Sequence, residues 1–317
     1  MRRQSKLAAA LGCLSVLAIA GLPGEAVAQE LKYEDVTPSH VYQATSDLIS
    51  EIEVLREAMG VTVYPLEAEL QEDRAPVHVY SKSLEVLEKI AASQRRLGIA
   101  PARIGQIPVK DIRPGDVYKS VRNSLAEVRR IKEQLVIEDA IRPAVLEGGK
   151  TPTFVYKHLS DASFLLDGLV GHPTDPNDVY NHVVYIHEEM ELIAAKLRAE
   201  LQLDAPVVDQ RKRMKEVAQQ VLRATFKVIN LQTRLGMDAS GVPQITLVRV
   251  SPAEVFEATN ILLAEMVRIK AHLDIRLPRT ERALSRNKRP RDIFAQVLLL
   301  IRNLDVLAKA AATYQKA

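Results

Sequence analysis

The sequence predicts an all-α protein: eight helical units of about 38 residues arranged as two duplicated four-helix bundles, with a helical-repeat solenoid as the alternative. Three observations lead there. A short pattern, P-x-x-V-[YF], recurs along the chain. Its prolines keep a fixed spacing. The apolar residues that follow each proline keep helical periodicity. The pattern reads PSHVY (38–42), PVHVY (76–80), PGDVY (114–118) and PTFVY (152–156), each 38 residues after the last. A second set reads PNDVY (176–180), PAEVF (252–256) and PRDIF (290–294), with a degenerate MKEVA (214–218) in the remaining phase. The sets are offset by 138 residues because the fourth unit is shortened to 24. AEVRRIK (126–132) matches AEMVRIK (264–270), and QRRLGI (94–99) matches QTRLGM (232–237), so a four-unit block was duplicated.

Each unit opens as a helix opens. Proline suits the first helical position, where its missing N–H is no loss. Thr37, Thr151, Asp175 and Ser251 precede it as N-caps. Asp116, Asp178, Glu216, Glu254 and Asp292 place carboxylates against the positive end of the helix dipole. From the aromatic onward an apolar seam follows, as in Tyr118, Val121, Leu125, Val128, Ile131 and Leu135, or Phe256, Leu263, Met266, Ile269 and Leu273. Tyr42, Tyr80, Tyr118, Tyr156 and Tyr180 are thereby expected on the seam, plugging the bundle end, with hydroxyls reaching solvent or a linker. Gly60, Gly98 and Gly236 read as C-caps. Each helix is then about 30 Å long. The linkers, such as IAPARIGQIPVKDIR (99–113), either run back along the helix, leaving successive helices parallel, or hold a short second helix in YPLEAELQED (64–73) and PRTERALSRN (278–287). The cut-short fourth linker favours a bundle that closes after four helices.

Residues 1–28 read as a secretory signal: Arg2, Arg3 and Lys6, an apolar stretch over 7–22, and Ala26-Val27-Ala28 before cleavage at Gln29. The domains are then 29–174 (units 1–4) and 175–317 (units 5–8). Cys13, the single cysteine, lies in the signal, and Ala10 stands where a lipoprotein signal favours leucine. The mature chain is expected without disulfides, cysteine chemistry or a membrane-spanning segment. Its halves are oppositely charged, with 18 basic and 22 acidic residues in 29–174 against 22 and 17 in 175–317. The basic excess concentrates in Arg211, Lys212, Arg213 and Lys215, and in Arg286, Lys288, Arg289 and Arg291, the residues expected to contact an anion or partner.

The candidate chemistry reads mostly as architecture. Glu51, Glu127, Glu189 and Glu265 sit beside the seam of odd units but lack the Glu-x-x-His pairs of a di-iron bundle. Ion pairs are expected instead: between helices for Glu51 with Lys89 and Glu189 with Lys227, or at i,i+3 on one helix for Glu127 with Arg130. His182 and His187, near Glu188, Glu189 and Glu191, lack the second histidine of HExxH, and His187 on the seam reads as a core residue. His40 and His78 share a helix-start position and read as a relic of the repeat. Gly148-Gly149-Lys150-Thr151 lacks the earlier glycine of a P-loop and reads as a loop before Pro152.

With aromatics at 4% and no tryptophan, a base-stacking platform or sugar cleft is disfavoured, and no nucleic-acid partner is expected. The sequence points to an exported, periplasmic or secreted helical-repeat binding or scaffolding protein of the periplasm or cell envelope, with no catalysis and no cofactor. Its partner is expected to be a protein or envelope component, or another copy met through the oppositely charged halves. The alternative is a carrier of an apolar or anionic small molecule within or between bundles.

Overall fold

The computed structural model describes residues 32–65, 67–171, 174–238, 250–279 and 283–314; the secretory signal expected over 1–28 and its expected cleavage site lie outside them. Among the described residues the chain forms a short 3-10 turn (Tyr33–Asp35) and eight α-helices, with no strand. These are α1 (Pro38–Ala58), α2 (Pro76–Arg96), α3 (Pro114–Gln134), α4 (Pro152–Val170), α5 (Pro176–Leu197), α6 (Met214–Arg234), α7 (Pro252–His272) and α8 (Pro290–Thr313). Each begins at the phase that the repeat marks. The described linker residues contain no second helix, so the solenoid of helix pairs gives way to two bundles.

In the first bundle α1 packs against α3 and α4, and α2 against the same two; the second repeats this with α5 and α6 against α7 and α8. Pro38, Pro76, Pro114 and Pro152, with Val41, Val79, Val117 and Val155, line one shallow apolar depression. Four helix N-termini therefore meet at one end, and the bundle is parallel. Each connection of about 16 or 17 residues returns the length of a helix, about 31 Å. The exception is 171–175, which reaches roughly 20 Å at most. Helix α5 therefore starts near the end of α4, and the second bundle lies antiparallel to the first. Its α7 runs against α2 in that sense, with Glu265 beside His78 and Glu257 beside Lys82.

A parallel bundle gathers every unpaired helix N–H at one end, and the caps answer this. In seven of the eight helices the third residue accepts the N–H of the cap residue: His40, His78, Asp116, Asp178, Glu216, Glu254 and Asp292. The two histidines use Nδ1, which explains the position they share with carboxylates. Of the expected N-caps, Asp175 and Ser251 accept N–H groups of the first turn, while Thr37 and Thr151 make no such bond. At the other end Gly60, Gly98 and Gly236 hold φ near +70°, the left-handed turn that ends α1, α2 and α6. The corresponding place after α3 is Val136, with φ of +57°.

The core seam is set by the valine of each Val-Tyr pair rather than by the aromatic. Val41, Val79, Val117, Val155, Val179, Val217, Val255 and Ile293 are all buried. The aromatic, one residue and 100° further round, covers the flank: Lys150 from the preceding linker lies 4.2 Å over the Tyr42 ring, and Lys288 lies 4.3 Å over Tyr180. Tyr156 differs because the second bundle buries it.

The odd-unit glutamates are ion-paired, but with other partners than expected. Helices α1 and α2 sit across the bundle diagonal, out of mutual reach, as do α5 and α6. Glu51 pairs with Lys132 and Arg129 of neighbouring α3. Burial alone would raise its carboxyl; the two cations outweigh burial and hold it below the usual range. Glu189 pairs with Lys270, while Lys89 and Lys227 pair with Asp167 and Asp305. Glu127 does pair with Arg130, at 2.6 Å.

Two outcomes follow from this packing. Val136→Gly is expected to raise stability by about 1 kcal/mol in urea unfolding, because a β-branched residue leaves the left-handed region. Lys270→Met is expected to cost about 3–5 kcal/mol by stranding Glu189 in the core, whereas adding Glu189→Leu restores most of that loss.

Candidate functional site

The inter-bundle seam is polar where the bundle cores are apolar. The Nδ1 of His78 accepts the Ala75 N–H, so its Nε2 donates to Glu265, 2.5 Å away. Gln232 of α6 donates to the other oxygen of Glu265. One turn along, Ser81 donates to Asn260, and Asn260 donates to Glu85 at 3.1 Å. Glu85 also accepts from Lys82 at 3.0 Å and from Ser163 at 2.7 Å. Burial opposes ionisation of Glu85, but Lys82, Lys89 and the Ser163 hydroxyl overcome it and hold the carboxyl down to about 2. Tyr156, wholly buried with Arg74 over its ring, has its hydroxyl pushed well above its ordinary value by desolvation and by Glu257 beside it.

Beside this seam opens a cleft of about 200 Å³, walled by α2, the end of α4, the start of α5 and α7, and residue 284 of the last linker. Glu88, Arg95, His182, Tyr185, Phe256 and Leu284 are among its lining residues. Thr259 donates its hydroxyl proton to the Phe256 carbonyl, so it accepts from His182 Nδ1, 3.0 Å away. That assigns the tautomer: His182 Nε2 is a bare lone pair. The ring stacks on Phe256 with centroids 4.5 Å apart and is 8% exposed. Burial pulls His182 down to about 3, so the imidazole is neutral near pH 7. Glu88 faces the cleft with no hydrogen bond or ion pair among the described residues. Desolvation by the surrounding chain, then Asp178 and Glu85, raise its carboxyl. Composition and spacing gave no sign of Glu88 or of this cleft, because it forms only when two halves of the sequence pack together.

The two basic runs, far apart in sequence, share one end of the second bundle. They straddle the starts of α6 and α8, which pack together, and Lys212 lies 4.7 Å over the Phe294 ring. Lys288 covers Tyr180, and Arg291 lies 3.5 Å from Asp292. Arg211, Arg213, Lys215, Arg286 and Arg289 are exposed and make no side-chain ion pair among the described residues. No family model, curated protein or solved structure gives a significant match to this chain. The other singled-out residues serve the fold. His187 bonds the Gln296 carbonyl at 3.1 Å, tying α5 to α8. Gly149 turns with φ +76° before α4, and Lys150 pairs with Glu147.

His182 makes stability depend on pH. The folded chain keeps it neutral down to about pH 3, whereas the unfolded chain protonates it below about 6.5, so stability falls as pH drops through that window. Urea midpoints taken at pH 7 and pH 5 should show a slope to which His182 contributes up to about 1.4 kcal/mol per pH unit; His182→Gln removes that share and leaves the share of half-buried His158, which burial also lowers. Glu85, Arg279 and Thr259 surround the ring and remain in the variant.

Proposed function

We propose that this chain is an exported, non-catalytic binding or scaffolding protein of the periplasm or cell envelope, engaging an anionic protein or envelope partner through the basic end of its second bundle. The observation that carries this reading is the convergence of Arg211, Arg213, Lys215, Arg286 and Arg289, exposed and unpaired, at the end where four helix N-termini already point outward. Cations there add to the positive dipole ends rather than offset them, a placement that folding alone does not favour. The export signal at 1–28 supplies the location. Among the described residues no helix is long and apolar enough to cross a membrane. A second reading, a carrier of a small molecule, is favoured by the inter-bundle cleft.

Charge reversal tests the first reading. Arg211→Glu, Arg213→Glu, Arg286→Glu and Arg289→Glu together are expected to leave the melting temperature within a few degrees and to weaken retention on an envelope extract, or self-association, by about tenfold or more at low salt. A parent protein that stays monomeric and retains no envelope partner at low salt would sink the reading.

A further inference from the structure

Two acceptors in the inter-bundle cleft have no donor among the described residues. One is His182 Nε2, whose ring is held by Thr259 on one side and by Phe256 on its face. The other is the Glu88 carboxylate. His182 is nine-tenths buried, and a buried acceptor without a partner costs free energy that a bound donor recovers; Glu88, exposed beside it on the cleft wall, supplies the negative charge. Much of the remaining lining is engaged or apolar: Lys89 is paired with Asp167, Glu85 with Lys82, and Val170, Phe256 and Leu284 offer hydrocarbon. The internal duplication separates architecture from this feature. Lys89 and Asp167 recur in the second bundle as Lys227 and Asp305. Glu88, His182 and Tyr185 have Phe226, Ala44 and Asp47 at the equivalent places. The four-helix plan therefore does not require the acceptors. Two cations among the described residues oppose this: Arg279, which acts on both acceptors but lies over the Tyr185 ring and pairs with Glu188 at 3.7 Å, and Arg95, an unpaired but exposed cation two turns beyond Glu88 on α2, at the mouth.

We propose that the inter-bundle cleft binds a small organic ammonium ion, with the charged N–H group on Glu88 and His182 Nε2 and an aliphatic stem along Val170, Phe256 and Leu284. The volume of about 200 Å³ admits about seven groups of water size, so the ligand is a short amine rather than a lipid or a peptide. The proposal rests on the carrier reading of the cleft and is independent of the basic end.

The test compares hexylamine, 1-hexanol and pentanoate, probes of like size with different heads, on the full chain by calorimetry and by nitrogen NMR of the histidine rings. Hexylamine is expected to bind saturably at pH 7 and at least tenfold tighter than either rival. It should shift the His182 Nε2 resonance while leaving those of His40 and His78 in place. Glu88→Gln, a change at an exposed cleft wall, should weaken hexylamine at least tenfold with the fold intact, since it removes the charge that the ammonium pairs with. Tighter binding of pentanoate would show that Arg95 governs the cleft; it would overturn the ammonium proposal and leave the carrier reading standing. Hexylamine binding that neither moves His182 nor feels Glu88→Gln would place the amine elsewhere and overturn it as well. If none of the three binds, both the proposal and the carrier reading fall.

Discussion

The parallel orientation of each bundle is the constraint on which the rest depends. Four helices that start at one end concentrate four sets of unpaired N–H groups and four positive dipole ends there. Every helix but α4 therefore carries an acceptor at its third position, and His40 and His78 serve as well as aspartate or glutamate because Nδ1 of a neutral imidazole is an acceptor. The same orientation demands linkers that retrace the helices. The prolines, short apolar runs and exposed tips of 59–75 or 97–113 are what such a return path needs: extended backbone and a few side chains tucked against the bundle, among them Ala68, Ile107 and Ile112. The short 171–175 connection is the one place where the chain does not go back. Its consequence is inversion of the second bundle, which sets the dipoles of the two bundles in opposition.

Duplication makes one half a control for the other. Pairs that recur at the same offset belong to the bundle itself. Glu51 with Lys132 recurs as Glu189 with Lys270, Gln94 on Glu127 recurs as Gln232 on Glu265, and Lys150 over Tyr42 recurs as Lys288 over Tyr180. Positions that differ belong to what each bundle meets. Lys82, Glu85, Glu257 and Asn260 form the buried seam, whereas their equivalents Gln220, Arg223, Lys119 and Arg122 face solvent or lie half-buried. The equivalent face of each bundle is polar, and the bundles dock by pairing polar groups across it rather than by meeting through apolar ones. Such a seam leaves no slack in register, because each buried group needs its partner.

The helices were legible because their signals are local: proline at the start, a carboxylate two residues on, and a seam of period near 3.6. The aromatic was the easiest letter of the motif to see, yet the valine before it carries the core, since one residue on a helix is 100° of rotation. The ion pairs were half legible. That the glutamates pair follows from their place beside the seam; which lysine they take depends on which helices are neighbours, and sequence order puts α1 beside α2 when the fold puts them across the diagonal. The cleft was not legible at all. Glu88 is one exposed carboxylate among many until α5 and α7 bring His182 and Phe256 to it.

The antiparallel arrangement also decides where the two candidate surfaces lie. It places the N-terminal end of the second bundle beside the C-terminal end of the first, and the cleft opens between the last turns of α2 and α4 and the first turns of α5 and α7. The basic residues stand at that same end. The linker before α8 serves both surfaces: Leu284 lines the cleft, Ser285 donates its N–H to Asn181 of α5 at 2.8 Å, and Arg286, Lys288 and Arg289 follow. A partner held by those cations bears on a segment that walls the cleft, through a backbone bond to a helix that supplies His182. The basic end and the cleft are thus adjoining parts of one surface, joined by a linker whose residues 285 and 288 are held to α5 by hydrogen bonds to Asn181 and Asn177 and by Lys288 over the Tyr180 ring.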